Sequence, residues 1–163
     1  KLEQARVELK EKLAKIRDEK KKQAVERIAN QINELSKRRA EHFNNALDKL
    51  ASMLERIVSR ADKAESRGLD VSAARSAVTA AQTAIEAARS AVKEQAGKVY
   101  SVSVSTEDKL KVDVGAAREA LHADLKKVFD LVKAAHDAVK AVAVALAQIP
   151  RVDDEPEATS TNP

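Results

Sequence analysis

The sequence predicts an all-α protein, an elongated antiparallel three-helix bundle or coiled coil with a very long first helix. Proline is absent before Pro150, and the 163 residues contain only three glycines. β-Sheet turns and phosphate-binding loops depend on these residue types, so both are disfavoured. Aromatic residues make up 2% of the chain. The core must therefore consist of Ala, Val, Leu and Ile, which suits seams between long helices.

The first helix is predicted over residues 1–66, because apolar side chains recur in its second half about every 3.6 residues. Its first half carries the pattern more weakly. Pairs such as Glu8 and Lys12 place an acid four residues before a base, which supports a helix. Gly68 is expected to end it. The second-half positions are Ile28, Ile32, Leu35, Arg39, Phe43, Ala46, Leu50, Leu54, Ile57, Ala61 and Ala64, with Arg39 the one interruption.

The second helix is predicted over residues 71–99. Its apolar stripe alternates steps of three and four residues, the spacing of a coiled coil. Small side chains dominate it, so we expect this helix to lie in the middle of the packing. The positions are Val71, Ala74, Val78, Ala81, Ile85, Ala88, Val92, Gln95 and Val99.

Residues 99–105 alternate apolar and polar side chains, as a strand does. One interpretation is a β-hairpin with Leu110, Val112 and Val114. The other is a helix end followed by an extended connection, and the sequence favours it because no further strand is available.

The third helix is predicted over residues 106–149, ending before Pro150. Residues 150–163 are acidic and contain Pro, Ser and Thr, which predicts a disordered tail or linker beyond a single domain of residues 1–149. The stripe of the third helix is Leu110, Val114, Ala117, Leu121, Leu125, Val128, Val132, Ala135, Val139, Val142, Leu146 and Ile149.

The three predicted helices differ in length, at about 100, 43 and 65 Å. Laid side by side, they leave residues 1–35 protruding at one end and roughly the last dozen residues of the third helix at the other. Apolar side chains continue into both overhangs, which predicts a protein partner or a weak dimer. The candidate interaction residues are Leu9, Leu13, Ile16, Val139, Val142 and Leu146.

No pattern of catalytic or ligand-binding residues is recognisable. The chain has no cysteine and three histidines. Glu119 and His122 form one Glu-x-x-His pair, whereas a di-iron site needs two. His136 and Asp137 are neighbours in sequence, so on a helix they point to different sides. The sequence predicts a non-enzyme without catalytic, metal-binding or cofactor-binding residues.

Two basic runs lie on the first helix and form a candidate basic patch. They suit an anionic polymer or surface, although stacking of nucleic-acid bases would need more aromatics than Phe43. Nucleic acid is therefore disfavoured, and the plain alternative is a solvated face of a charged helix. The residues are Lys20, Lys21, Lys22, Lys37, Arg38 and Arg39.

Four segments carry a resemblance: KKQAVERIANQINELSKRRAEHFNNALDKLASMLERI at 22–57, GLDVSAARSAV at 68–78, EQAGKVYSVSVSTEDKL at 94–110 and LHADLKKVFDLVKAAHDAV at 121–139. The chain from about residue 11 to 144 resembles an uncharacterised group of exported helical, coiled-coil-like proteins of candidate-phylum bacteria. The resemblance implies export behind an N-terminal signal and a membrane anchor beyond the acidic tail. It implies no activity.

Together these observations predict a non-enzymatic structural or interaction protein: a spacer, stalk, scaffold or adhesion module in the periplasm or at the cell surface, with the cytoplasm not excluded. Two alternatives remain. One is a binder of anionic polymers, nucleic acid or glycan, through the basic first helix. The other is a holdase-like periplasmic chaperone that uses protruding helices as prongs. The longest apolar run, 141–147, is far shorter than the ~20 residues that a membrane span needs.

Overall fold

A computed structural model describes residues 1–152 of the chain; the acidic residues 153–163, most of the predicted tail, lie outside the described part. The all-helical class is confirmed, and no strand occurs within residues 1–152. The four α-helices are α1 (Leu2–Leu13), α2 (Glu19–Ser66), α3 (Ser72–Ala96) and α4 (Leu110–Ala147), and a short 3-10 helix (Glu107–Lys109) precedes α4.

The prediction of one continuous helix over residues 1–66 is wrong, because the chain turns at residues 14–18. The carboxylate of Asp18 accepts hydrogen bonds from the backbone N–H groups of Lys20 and Lys21, at 2.9 and 3.1 Å. This cap satisfies N–H groups that α2 leaves free where it begins. The turn folds α1 back along α2, where Arg6 Nε donates to Asn30 Oδ1 at 3.0 Å.

α2 and α3 are antiparallel, joined by a turn in which Gly68 has φ of +79°. Arg89 contacts Asp48 at 2.8 Å, and further along the pair Gln95 Nε2 donates to Ser36 Oγ at 3.0 Å. The predicted stripe of α3 is confirmed: its residues from 71 to 95 are buried, namely Val71, Ala74, Val78, Ala81, Ile85, Ala88, Val92 and Gln95.

The connection after α3 is extended, which is the alternative that the sequence favoured. The β-hairpin does not form, because residues 110–114 belong to α4. A side chain replaces the missing strand partner. Asn33 accepts from the backbone N–H of Tyr100 and donates to its carbonyl oxygen, both at 2.9 Å. The connection carries the chain past the end of α3, so that Glu107 reaches Lys21 at the start of α2.

The segment from Glu107 to Val152, which contains α4, therefore runs parallel to α2 from the first turn of α2 to just past its end. Beyond the far end of α4, the Val152 carbonyl accepts a hydrogen bond from Arg67, just past α2. The predicted overhangs do not exist, because α1 folds back over the start of α2 and the extended connection shifts α4 into full register with α2. Protruding prongs, the basis of the chaperone alternative, are absent from residues 1–152.

Over part of α2, the buried positions are shifted by one residue from the positions that the apolar pattern predicted. Ser36, Ala40 and Leu47 are buried, where the apolar pattern predicted Leu35, Arg39 and Ala46. Ser36 is polar, but its hydroxyl accepts a hydrogen bond from buried Gln95. This pairing lets a serine occupy the interior at little cost.

Candidate binding surface

The six predicted interaction residues lie in the interior. Leu9, Leu13 and Ile16 pack with Val25 and the start of α4 in one apolar cluster. The other three, on α4, lie in a second cluster with α2 and α3. Each of the six is at most 7% exposed, so they stabilise the monomer and present no docking surface: Leu9, Leu13, Ile16, Val139, Val142 and Leu146.

The predicted basic patch does not form one surface. Lys21 Nζ binds Glu107 at 3.0 Å, a hydrogen bond that raises the pKa of the lysine, and Lys22 contacts Glu19 at 3.2 Å. Residues 37–39 are consecutive, and consecutive helical side chains point about 100° apart. Arg38 lies with Gln23, Arg27, Asn30 and Glu34 on the solvent side of α2.

The charged residues of α2 instead form two rows along the helix, and the members of each row recur every seven residues. One row is acidic and faces α3: Asp48 contacts Arg89 at 2.8 Å, and Asp62 contacts Arg75 at 2.5 Å. Residues seven apart on a helix share a face. The acidic row comprises Glu41, Asp48, Glu55 and Asp62, and Glu34 continues its spacing beyond the end of α3, on the solvent side of α2.

The second row is basic and lies on the α4 side of α2. Its position follows from Leu35, which lines a groove of about 410 Å³ between α2 and α4 together with Arg118, His122 and Leu125. Steps of seven residues from Leu35 lead along the same side. The row comprises His42, Lys49, Arg56 and Lys63, all exposed, with Arg39 and Arg60 beside it.

α4 contributes a matching set of cations across the groove. Steps of three and four residues from Arg118 and His122 continue this side of α4. Lys126 and Lys133 contact Asp130 and Asp137 of the same helix, at 2.8 and 2.6 Å. His136 Nδ1 also lies 3.2 Å from Asp137 Oδ1, so the expectation that these two side chains point apart is wrong. We call the combined surface the basic face. It consists of Arg39, His42, Lys49, Arg56, Arg60 and Lys63 on α2 with Arg118, His122, Lys126, Lys133, His136 and Lys140 on α4, all exposed.

The net charge of the chain is only +4, but the basic residues are gathered on the basic face, so positive charge is denser there than the net charge indicates. The acidic row of α2 points away from it and is partly neutralised by Arg75 and Arg89. Within residues 1–152, Lys49, Arg56 and Lys140 form no ion pair. From Arg39 to Lys63 the face extends about 36 Å along α2. On α4 the face is interrupted by Asp130 and Asp137, which pair with Lys126 and Lys133, so the excess of positive charge is largest along α2. A positive excess over this length attracts anions and speeds their encounter.

Apolar side chains are also exposed on the basic face. Phe129, on the same side of α4 as His122 and Leu125, is 53% exposed, and Met53 and Leu35 on α2 are 44% and 38% exposed. Single exposed apolar side chains are common on protein surfaces, but here three large ones lie among basic residues on one side of the molecule. The face therefore combines cations with apolar contacts.

A buried polar cluster holds the helices and the connection together at the level where α3 ends. Gln95 Nε2 donates to Tyr100 Oη, and Tyr100 Oη donates to Asp124 Oδ2, both at 2.9 Å. Burial raises the pKa of Tyr100, and the hydrogen bond from Tyr100, with help from Lys98, lowers the pKa of Asp124. The cluster joins α2, α3, the connection and α4, which indicates a structural role.

Sequence reasoning missed the basic face because it looked for consecutive cations. The available signal was a seven-residue recurrence of charge. Across the described part of the chain, no three His, Asp or Glu side chains are grouped as a metal site would require. None of the helices in residues 1–152 is both long and apolar enough for a bilayer crossing. No protein-family model, curated protein or solved structure matches the chain significantly.

Proposed function

We propose that this chain is a non-enzymatic interaction protein, an elongated helical bundle of coiled-coil type that binds an anionic partner through the basic face. The observation that carries the proposal is the separation of charge on α2. Asp48 and Asp62 of the acidic row contact α3, whereas the basic row follows Leu35 along the side of α2 that faces α4. Random placement of charges on a solvated helix would mix the two signs on each side.

The arrangement has a direct energetic consequence. Cations held side by side repel one another, and the protein bears this cost in the free state. An anionic partner removes the repulsion and releases its own counterions, so binding is strong at low salt and weakens as salt rises. The basic face thus favours the anion-binding alternative, with its cations spread over α2 and α4.

A spacer or scaffold role is compatible with the same architecture, and the core of α2 favours it. Buried residues recur along α2 from Val25 to Ala64. α3, α4 or α1 covers this core at every level, and the helix is about 72 Å long. A helix supported along its whole length is stiff, so the protein can hold the basic face at a fixed distance from the end near Arg67 and Val152.

Export to the periplasm or cell surface is part of the proposal, as the resemblance to exported helical proteins implies. Fractionation of the native cells, with mass spectrometry of the mature N-terminus, tests it. Recovery of the protein in the cytoplasmic fraction with no processed terminus would contradict export without affecting the binding role.

The binding role is tested with fluorescein-labelled dextran sulfate, a flexible polyanion, by fluorescence anisotropy. The face variant is Lys49→Glu with Arg56→Glu and Lys140→Glu. The matched control is Arg27→Glu with Lys37→Glu and Lys93→Glu, which changes the net charge by the same amount at exposed positions outside the basic face.

The wild-type protein and the control are expected to bind dextran sulfate with similar affinity, apart from a small shared loss from the lower net charge. The face variant should bind at least tenfold more weakly, since each surface contact with a charged group is worth about 1 kcal/mol. Equal affinity of the face variant and the control would contradict the proposal, and so would a wild-type protein that does not bind at all.

A further inference from the structure

We infer that the partner of the basic face is the surface of an anionic lipid bilayer, with Phe129, Met53 and Leu35 entering the boundary between headgroups and acyl chains. This inference rests on the proposed function and names its partner. It is carried by the exposed apolar side chains that lie among the cations of the same surface.

The chemistry of the side chains distinguishes a bilayer from a nucleic acid. The phosphates of a nucleic-acid backbone bind cations but make no favourable contact with the side chains of leucine, methionine or phenylalanine. Stacking on single-stranded bases needs a series of aromatic side chains, and Phe129 is alone on this surface. An interfacial protein needs this mixture, with cations at the level of the lipid phosphates and large apolar side chains below them.

The shape of the surface suits a plane. α2 and α4 run parallel, and the cations on α4 from Arg118 to Lys140 cover about 33 Å, close to the 36 Å covered on α2. Two parallel helices present their outward residues at a common level, so both rows reach a planar membrane together. Each Lys or Arg near an anionic membrane contributes about fivefold in affinity, so about eight simultaneous contacts, or fewer together with the apolar side chains, give micromolar binding.

Co-sedimentation with vesicles tests the inference. The wild-type protein is expected to bind vesicles of phosphatidylcholine with phosphatidylglycerol and to stay in solution with phosphatidylcholine alone. Phe129→Ser, which keeps every cation, should weaken vesicle binding about tenfold, as expected for a large apolar side chain that no longer enters the bilayer. Val112→Ser is the matched control, because Val112 is an exposed apolar residue of α4, at 69%, outside the basic face.

A second readout reports insertion directly. The chain contains no cysteine, so Met53→Cys and Val112→Cys can each be labelled at one site with an environment-sensitive nitrobenzoxadiazole dye. The dye at position 53 should brighten and shift to the blue when anionic vesicles are added. The dye at position 112 should not change.

The outcomes separate the inference from the proposed function. Binding to dextran sulfate and to a short DNA duplex, without binding to anionic vesicles, would overturn the bilayer and retain an anionic partner. Vesicle binding that Phe129→Ser leaves unchanged, with no dye response at position 53, would overturn apolar insertion. Binding to none of the three probes would overturn both the inference and the proposed function.

Discussion

The phenolic hydroxyl of Tyr100 donates a hydrogen bond of 2.9 Å to Oδ2 of Asp124, which ties the extended connection to the side of α4. The Tyr100 hydroxyl oxygen in turn accepts a hydrogen bond from Gln95 Nε2. Tyr100 is 7% exposed, so water cannot easily replace either bond. This residue fixes where the connection lies and hence the register of α4 against α2, on which the basic face depends.

Tyr100→Phe removes both hydrogen bonds and keeps the ring. We expect a loss of about 1–3 kcal/mol in the free energy of unfolding, because Gln95 is left buried with an amide group that has lost a partner. Urea unfolding followed by circular dichroism measures the loss. Ser103→Ala, which removes an exposed hydroxyl of the same connection, should change the midpoint little. Equal midpoints for the two variants would contradict a structural role for the cluster.

Acid should destabilise the fold through three carboxylates of the connection and α4. The pKa of Glu107 is lowered by its hydrogen bond with Lys21, that of Asp113 by the backbone and hydroxyl of Ser105, and that of Asp124 chiefly by Tyr100. A folded-state pKa below the unfolded value gives stability that is fully present above about pH 5, where the unfolded chain is also ionised, and is lost as the pH falls through the folded-state values.

Urea unfolding at a series of pH values from neutral to about pH 3 tests this expectation. The free energy of unfolding should be nearly constant down to about pH 5 and fall below it. Asp113→Asn should be less stable than the wild type at neutral pH and should lose less on acidification. A wild-type stability that is unchanged at the acid end would contradict the expectation.

Ile85→Asp should unfold or severely destabilise the protein. Ile85 is 6% exposed and packs in the cluster shared by α2, α3 and α4. An unpaired carboxylate there costs several kcal/mol. Gln82→Asp, on an exposed position of the same helix, is the control and should melt within a few degrees of the wild type. A similar melting temperature for Ile85→Asp would show that the α3 stripe is exposed.

The return of α1 along α2 predicts a local effect of Leu13→Ala. Leu13 is 1% exposed, and its truncation removes contacts worth about 2–5 kcal/mol. Hydrogen exchange should become much faster in α1, with little change in α3. Val7→Ala, at a position 54% exposed, should leave exchange in α1 nearly as in the wild type. A Leu13→Ala variant with unchanged exchange would indicate a straight, solvated first helix.

The sequence was sufficient for α3 and most of α4, because each carries one regular apolar stripe and meets its partners in a single register. It was insufficient for the turn at residues 14–18, which contains no glycine or proline. Asp18 is the physical cause of the start of α2, but an aspartate among many charged residues is a weak signal. The burial of Ser36 was equally invisible, since it depends on Gln95, which lies 59 residues later in the chain.

Only part of the basic face could be predicted from the sequence. The seven-residue recurrence of His42, Lys49, Arg56 and Lys63 is present in the sequence. Its meaning depends on which helix lies beside that row, and this depends on the length of the extended connection. Had α4 started at the end of α3, the cations of α4 would have faced a different level of α2.

The most direct test of the basic face as a binding surface is the reactivity of individual lysines toward an acetylating reagent, measured by mass spectrometry with and without dextran sulfate. We predict strong protection of Lys49, Lys63 and Lys140 and unchanged reactivity of Lys10, Lys37 and Lys93, all of them exposed. Uniform protection of all six lysines, or protection confined to the second three, would contradict the account.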